Sequence, residues 1–352
     1  MSDDDSPADS SATDRALTRR SLLTAAAGAG VASAAGCAGV STPADVAEAA
    51  SVSGNVAYFR GPEQVRPESE VFLDARSRSQ YRSEHVYGAR HTPVDDLTSQ
   101  TETDAGLLPD TDALANRLGA LGVTRDTDVV VYGSSVGSRV SRVVFVLEYL
   151  GHEGKVSILN GGYEAWNGRV GVGSRSPAAT TYEASPREEL VVTRDWVADR
   201  VGSFNADGPG LVDVRSPEAY LGARRSEELV AANDRHGHIP GAIDVHWIGN
   251  VEGRMLGDPG TLAGLYFNNA GLSQSNRIAV YGQGNINPTH TWLVLQSLGA
   301  EDVCLYDGGF AEWADVPANS RGRYPVETKT TTVVETSGSL GDGGGGGFSC
   351  TG

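Results

Sequence analysis

Short runs of apolar, largely β-branched residues alternate along the chain with longer stretches in which apolar residues recur at helical spacing. Two of the short runs are VVVY at 129–132 and IAVY at 278–281, and two of the helical stretches are VSRVVFVLEYL at 140–150 and THTWLVLQSL at 289–298. Continuously apolar strands are typical of parallel sheets that are buried on both faces. The pattern therefore predicts an α/β fold in which parallel sheets are flanked by helices.

The pattern occurs twice. VFLDAR at 71–76 resembles LVDVR at 211–215, and VSILNGGYEAW at 156–166 resembles VCLYDGGFAEW at 303–313. The offsets between matching segments, roughly 140 to 153 residues, vary along the chain as loop insertions would make them vary. The chain therefore contains two copies of one module.

The Gly-Gly pairs at 161–162 and 308–309 predict tight turns between a strand and a helix. Trp166 and Trp313 follow these turns at the same spacing. Both tryptophans are expected to pack against the cores of their modules and to have a structural role.

The segment AVYGQGNINPTH at 279–290 contains the strongest candidate site. A strand leads into a loop with two glycines and two asparagines, and Pro288 is expected to begin a helix with Asn287 as its cap. Backbone N–H groups at a helix N-terminus attract an anion or stabilise a thiolate. The first residue of this loop, however, is Gly282, which has no side chain to act as a nucleophile.

Several motifs in a fixed order resemble the tandem-domain rhodanese family of thiosulfate and 3-mercaptopyruvate sulfurtransferases over residues 56–325. The motifs are Asp-x-Arg at 74–76 and 213–215, Gly-His-Ile-Pro-Gly-Ala at 237–242 with a degraded copy at 84–89, and Gly-Gly-x-x-x-Trp at 161–166 and 308–313. The resemblance implies two rhodanese-like domains, which we place at 56–175 and 190–325. It also implies sulfur transfer from thiosulfate as the ancestral activity.

In this family a cysteine directly after the Val-Tyr strand of the second domain carries the transferred sulfur as a persulfide. The resemblance places Gly282 at that position and Gly133 at the matching position of the first domain. No cysteine occurs between Cys37 and Cys304. The family's covalent step is therefore expected to be absent at Gly282.

The loop and one arginine remain candidates for binding a sulfur oxyanion such as thiosulfate. The resemblance gives Arg215 the role of holding the anionic donor, and a guanidinium suits a bidentate oxyanion. An ion pair inside the domain is an equally open role for Arg215. The predicted anion-binding residues are Arg215, Gly282, Gln283, Gly284, Asn285, Ile286 and Asn287.

Other polar side chains are weaker candidates. His290 could face the loop, although packing or surface exposure is commoner for a lone helical histidine. His238 is expected to make internal hydrogen bonds, and Ser134 and Ser135 are expected to cap a helix. Cys304, within an apolar run, is expected to be a buried and inert residue. The cysteine spacings match no zinc site, and we expect no metal or cofactor.

Charge narrows the range of partners. Acidic residues outnumber basic ones 45 to 28 in the 352-residue chain, which gives a net charge of −17. Nucleic acid is therefore not an expected partner. Lys155 and Lys329 are the only lysines in the sequence. We interpret this acidic, lysine-poor composition as an adaptation to concentrated salt, in which charge repulsion is screened.

The first residues resemble an export signal. Thr18-Arg19-Arg20-Ser21-Leu22-Leu23 precedes a short run rich in Ala and Gly, as in twin-arginine signals, and Ala34-Ala35-Gly36-Cys37 resembles a lipobox. We expect a signal at 1–37, lipid on Cys37, a flexible tether at 38–55 and a membrane-anchored protein on the cell surface. An Ala-rich disordered leader is the alternative.

Residues 326–352 form a predicted flexible tail that becomes rich in glycine. Cys350 lies near its end and could reach the empty loop or another chain, although a thiol without a role is the simpler interpretation. The sequence therefore leaves three functions open: a sulfurtransferase, with Cys350 as a candidate sulfur carrier; a pseudo-enzyme that binds an anion or a protein partner; or a purely structural or interaction role.

Overall fold

The computed structural model describes residues 59–99, 106–174, 176–205, 208–223, 235–284, 286–328, 334, 336 and 338–340. The predicted export signal, the tether and Cys350 lie outside these residues. All the described residues belong to one compact unit, Ser41–Gly352.

The first module consists of short strands and three α-helices. Its strands are β1 (Phe59–Arg60), β2 (Val71–Asp74), β3 (His85–Val86), β4 (Arg90–His91), β5 (Val129–Tyr132), β6 (Val156–Leu159) and β7 (Val170–Gly171). Its helices are α1 (Arg78–Ser83), α2 (Thr111–Ala120) and α3 (Ser138–Tyr149), with 3-10 turns at Pro62–Gln64, Val94–Leu97 and Tyr163–Ala165.

The second module repeats this order with an added hairpin. Its strands are β8 (Val191–Val192), β9 (Gly210–Asp213), β10 (Ile243–Asp244), β11 (Val251–Gly253), β12 (Met255–Leu256), β13 (Arg277–Tyr281), β14 (Asp302–Tyr306) and β15 (Ser339–Leu340). Its helices are α4 (Arg194–Ala198), α5 (Pro217–Tyr220), α6 (Pro259–Ala263), continued by a π-helical turn at Gly264–Asn269, α7 (Ile286–Ser297) and α8 (Gly309–Ala314). Its 3-10 turns are Glu188–Leu190, Trp247–Asn250 and Ala318–Ser320.

Each module is built on a five-stranded parallel sheet, as the sequence predicts. The strand order is β1-β6-β5-β2-β4 in the first module and β10-β9-β13-β14-β8 in the second. Two smaller sheets, β12-β11-β15 and β3-β7, lie beside them. The carboxyl ends of the parallel strands carry the Asp-x-Arg motifs and the loop that begins at Gly282.

Both faces of the central strands are buried, which explains their unbroken apolar sequences. In β5, Val129 and Val131 belong to one hydrophobic core, whereas Val130 and Tyr132 belong to a core on the opposite face. In β13, the residues Ile278 and Val280 likewise belong to one core and Ala279 and Tyr281 to another. One of these cores contains residues from both modules and from helices α3 and α7.

Helices α3 and α7 pack against each other between the modules. Phe145 meets Trp292 edge to face, with ring centroids 5.0 Å apart. Ser141 Oγ lies 3.0 Å from His290 Nδ1, and the His290 ring packs on the edge of Trp247 at 5.7 Å. Buried side chains occur on every side of α7 because it lies between its own sheet and α3.

Several structural expectations are confirmed with shifted bounds. The predicted helices at 140–150 and 289–298 are Ser138–Tyr149 and Ile286–Ser297. Trp313 is fully buried, and Trp166 is half-buried against Phe72. Every helix in the described ranges is too short or too polar to cross a bilayer.

We expect protonation of His290 to weaken folding. Burial lowers the pKa of His290 to about 4 from an ordinary 6.5. The pKa of His290 is lower in the folded state than in the unfolded state. Its neutral form therefore stabilises the fold fully above pH 6.5, and the free energy of unfolding falls as the pH drops from about 6.5 to about 4. The loss is on the order of 3 kcal/mol. Denaturant unfolding across this range in high salt measures it.

His290→Gln is the control for this prediction, because carboxylates also titrate near pH 4. The variant has a lower stability at neutral pH but a shallower decline between pH 6.5 and 4 than the wild type. Parallel declines in the two proteins would show that His290 does not cause the acid sensitivity.

Candidate functional site at the Gly282 loop

The loop begins directly after β13 and passes into α7. Asn285 lies outside the described residues. The helix begins at Ile286, so the predictions that Pro288 begins it and that Asn287 caps it are wrong: both residues lie inside the first turn. Proline is accepted there because the first N–H groups of a helix have no partner within the helix.

Two carbonyl groups of the loop accept hydrogen bonds from the first turn of α8. Phe310 N donates to Gly282 O at 2.8 Å, and Ala311 N donates to Gln283 O at 3.0 Å. The C=O and N–H groups of a trans peptide unit point in opposite directions. The N–H groups of Gln283 and Gly284 therefore point away from α8, which leaves them oriented as an anion-binding loop requires.

Gly309 makes this contact possible. Its φ is +57°, and a Cβ atom on it would lie 2.7 Å from Gly282 O. The first module is built in the same way, with Tyr163 N donating to Gly133 O at 2.8 Å. The Gly-Gly pairs thus form the tight turns that the sequence predicts, and they also hold the loop that starts at Gly282 or Gly133.

Gly282 is buried, and little space surrounds its α-carbon. A Cβ atom there would lie 3.1 Å from both Gly284 O and Pro288 Cγ. A side chain at this position would therefore point into the loop, between a carbonyl group and the proline ring. A Cβ atom there requires the Gly284 carbonyl group and the Pro288 ring to shift by a few tenths of an ångström.

Arg215 is buried beneath the loop and paired with Asp213. Its Nη2 donates to Asp213 Oδ2 at 2.6 Å and to Gly237 O at 2.7 Å, and its Nη1 lies 3.4 Å from Gln283 Oε1. Burial is the largest single influence and opposes the charge of Arg215, but the charge and hydrogen bonds of Asp213, with Tyr281 and Asp244, together outweigh it and raise the pKa of the guanidinium. The internal ion pair is thus present, and Nη1 is the nitrogen directed towards the loop.

The first module contains the same ion pair. Arg76 Nη2 donates to Asp74 Oδ2 at 2.7 Å, and the guanidinium lies 3.7 Å from the centre of the Tyr163 ring. In the second module Arg215 lies 4.0 Å from the centre of the Phe310 ring. Each Asp-x-Arg motif therefore connects a strand end to the Gly-Gly element of its own module.

The Gly-His-Ile-Pro-Gly-Ala turn is held by its histidine. His238 Nδ1 lies 2.9 Å from Tyr220 O and its ring stacks on Tyr220 at 3.7 Å, so the expected internal hydrogen bond is confirmed. The degraded turn of the first module folds in the same way, with His85 Nδ1 2.7 Å from Tyr81 O.

Asp244 is a site residue that the sequence analysis missed. It is paired in register with Asp213 on the neighbouring strand, and neither of its carboxyl oxygens has a hydrogen-bond partner in the described part of the chain. Burial, and then the charge of Asp213, raise the pKa of Asp244 to about 8. Its position just after the Gly-His-Ile-Pro-Gly-Ala turn, which leads into a strand next to that of Asp213, was the signal that could have identified it.

The remaining candidates lie away from the loop or have other roles. Cys304 is fully buried in β14, and burial raises the pKa of its thiol to about 12, so it is inert as expected. His290 packs against α3. The prediction that Ser134 and Ser135 cap a helix is wrong, because α3 begins after Gly137 and has no side-chain cap.

Each module thus combines a parallel sheet, an Asp-x-Arg ion pair and a Gly-Gly turn beneath a strand-to-helix loop. The family model described as a rhodanese-like domain matches residues 63–169 and again 193–315. The chain belongs to the rhodanese family.

Curated rhodaneses resemble most of the chain. The thiosulfate sulfurtransferase of Azotobacter vinelandii is 28% identical over 251 residues, which cover 70% of this chain and 89% of that protein. The thiosulfate sulfurtransferase of Corynebacterium glutamicum is 33% identical over 233 residues, which cover 63% of this chain and 73% of that protein.

Solved structures share the rhodanese fold. An EanB variant in complex with ergothioneine superposes with a TM-score of 0.64 at 23% identity, over 76% of this chain and 66% of that chain. YnjE superposes with a TM-score of 0.59 at 20% identity, over 75% of this chain and 63% of that chain.

We expect the buried ion pair of the second rhodanese module to contribute strongly to stability. Asp213→Asn removes the paired counter-charge of the buried Arg215 guanidinium, and the expected loss is about 3–5 kcal/mol. Urea unfolding in high salt measures the change.

Glu153→Gln is the matched control, because it removes one partner of the exposed Arg125–Glu153 pair. The expected loss there is under about 1 kcal/mol. Equal losses of stability in the two variants would contradict the argument that burial makes the Asp213–Arg215 pair more stabilising than an exposed ion pair.

Proposed function

We propose that this rhodanese binds a sulfur oxyanion such as thiosulfate at the Gly282 loop without forming a persulfide. The observation that carries the proposal is Gly282 itself, at the position where the family's sulfur-carrying cysteine would begin the loop. Transfer requires a thiolate that attacks the outer sulfur of thiosulfate while sulfite departs with the bonding electrons. Glycine supplies no atom for that bond.

The nearest cysteine in sequence does not replace it. Cys304 lies within a strand of the sheet, its pKa is raised to about 12, and its Sγ is 3.7 Å from Ile278 O. A thiol with such a pKa is almost entirely protonated at neutral pH, and only the thiolate is nucleophilic. Cys304 is therefore a core residue and not a substitute nucleophile.

Binding remains feasible because the parts of the loop that contact an anion do not depend on a cysteine. The amides of Gln283 and Gly284 are turned away from α8, and Arg215 Nη1 lies on the loop side of its ion pair. Charge-assisted hydrogen bonds from such groups select an oxyanion. The second candidate function is sulfur transfer through Cys350, which lies in the Gly-rich C-terminal sequence outside the described residues.

An assay of thiocyanate formation from thiosulfate and cyanide in high salt separates these functions. We expect wild type and Cys350→Ser to give the rate of the enzyme-free control, and calorimetry to show saturable thiosulfate binding by both. Turnover that Cys350→Ser abolishes would assign transfer to the tail thiol. Turnover that persists in this variant, or a lack of thiosulfate binding, would overturn the proposal.

Restoring the thiol tests whether the rest of the site is intact. Because a Cβ atom at residue 282 meets the ring of Pro288 at 3.1 Å, the sharper variant is Gly282→Cys combined with Pro288→Ser. We expect at least a tenfold gain over the control rate and a mass increase of one sulfur atom after incubation with thiosulfate. Pro288→Ser alone is the matched control and remains inactive.

We further propose that the protein is exported through the twin-arginine pathway and anchored by lipid on Cys37. The support is the Arg19-Arg20 pair, the short apolar run and the lipobox-like Ala34-Ala35-Gly36-Cys37. Mass spectrometry of the mature chain from its native cells is expected to give an N-terminus at a lipidated Cys37. A mature chain that retains residues 1–36 would contradict both parts.

A further inference from the structure

An arginine-rich crevice lies in the first module, apart from the Gly282 loop. It has a volume of about 260 Å³ and is formed by α1, the end of β4, the end of α2 and the segment that leaves the module. Arg78, Arg82, Arg117 and His91 contribute to its wall, and the described residues that line it include no carboxylate. In a chain with a net charge of −17, this concentration of positive charge requires an explanation.

The charges in the crevice are largely uncompensated. Arg78 and Arg82 form no ion pair with any carboxylate of the described residues. Arg117 is paired with Asp96, but its Nε is buried and has no hydrogen-bond partner within the described ranges. Arg78 and Arg82 are exposed, so water screens part of the repulsion between the like charges around the crevice, and an anion bound between them would reduce it further.

The second module shows that the fold does not require these basic residues. Counting from the shared Asp-x-Arg motif, Pro217 and Leu221 occupy the positions of Arg78 and Arg82. Asp244, paired in register with Asp213, occupies the position of His91, which is paired in register with Asp74. The same scaffold therefore folds with neutral and acidic residues at all three positions.

His91 is held in a defined orientation. Its Nε2 lies 3.0 Å from Arg76 O and its ring stacks on Tyr81 at 5.0 Å. Burial, opposed by the hydrogen bond to Arg76 O and by the carboxylates of Asp74 and Asp96, lowers the pKa of the ring, and Arg78 lowers it further. An anion next to Arg78 offsets that repulsion, so the pKa of His91 reports on the occupancy of the crevice.

We propose that this crevice binds a small tetrahedral oxyanion of the sulfate and phosphate type. Guanidinium groups suit such anions because they donate two parallel hydrogen bonds, and the hydroxyl groups of Ser174 and Ser176 in the wall add further donors. The volume is below the 300–1,000 Å³ typical of pockets for larger organic ligands.

The site is separate from the proposed oxyanion site at Gly282 and does not depend on it. Its ligand would join α1 of the first module to Ser174, Ser176 and Pro177, which lie on the way to the second module. A bound anion would therefore restrain the first residues of the segment that connects the two modules.

Calorimetric titration of sodium sulfate into the full chain, with ionic strength held constant by sodium chloride, tests the proposal. Parallel titrations use sodium phosphate and sodium thiosulfate, which separate the possible sources of the anion, and sodium acetate as a monoanion. We expect saturable binding of at least one tetrahedral anion, at least tenfold weaker in Arg78→Gln and in Arg82→Gln. Arg321→Gln, an exposed arginine of the second module, is the matched control and binds as the wild type does.

A second readout distinguishes binding from a change in stability. The pKa of His91, followed through its ring proton by NMR, rises when the anion saturates the wild type and stays constant in the Arg78→Gln/Arg82→Gln double variant. Equal melting temperatures of the two proteins in chloride establish that the double variant is folded. A His91 pKa that no tetrahedral anion shifts in the wild type, or that the anion shifts equally in the double variant, would overturn the proposal, whereas heat from thiosulfate bound at the Gly282 loop is expected to remain in the double variant.

Discussion

The architecture depends on one interaction that occurs in both modules, the buried ion pair between the aspartate at the end of a central strand and the arginine two residues later. In the second module the Asp213 carboxylate accepts the backbone N–H and the side chain of Arg215, which fixes the chain as it leaves the sheet. The same guanidinium then contacts Gly237 O and Gln283. One desolvated charge thus holds the Gly-His-Ile-Pro-Gly-Ala turn and the Gly282 loop in fixed positions. Since both charges are removed from water, neither is easily replaced alone.

Glycine supplies the second constraint. Gly309 brings the first turn of α8 against the carbonyl groups of the loop, because a Cβ atom there would lie 2.7 Å from Gly282 O. Because the loop carbonyl groups face the helix in this contact, the N–H groups of Gln283 and Gly284 face away from it. The shape of the loop consequently comes from residues other than Gly282, which explains why it persists with a glycine at its first position.

Much of the fold could be predicted from the sequence because its signals are local or repeated. Runs such as VVVY at 129–132 predict strands buried on both faces, and the two copies of each motif predict two similar modules. The start of α7 was misplaced because proline is compatible with several positions in a first helical turn. The prediction that Ser134 and Ser135 cap a helix was wrong because Gly137 occupies the position before the first turn of α3.

Other parts of the site depend on neighbours that are distant in sequence. Asp244 is an ordinary aspartate until strand pairing brings it beside Asp213 in a buried position. The crevice in the first module combines α1 with residues that follow nearly a hundred positions later. Sequence spacing carries no signal for such an arrangement.

The packing of α3 on α7 has a consequence for both halves of the chain. Trp292 and Phe145 form one seam from two halves of the chain, so either half alone would expose a large apolar surface. Each half therefore needs the other half to bury its apolar surface. Neither half can therefore be lost without exposing the apolar seam that the other half covers.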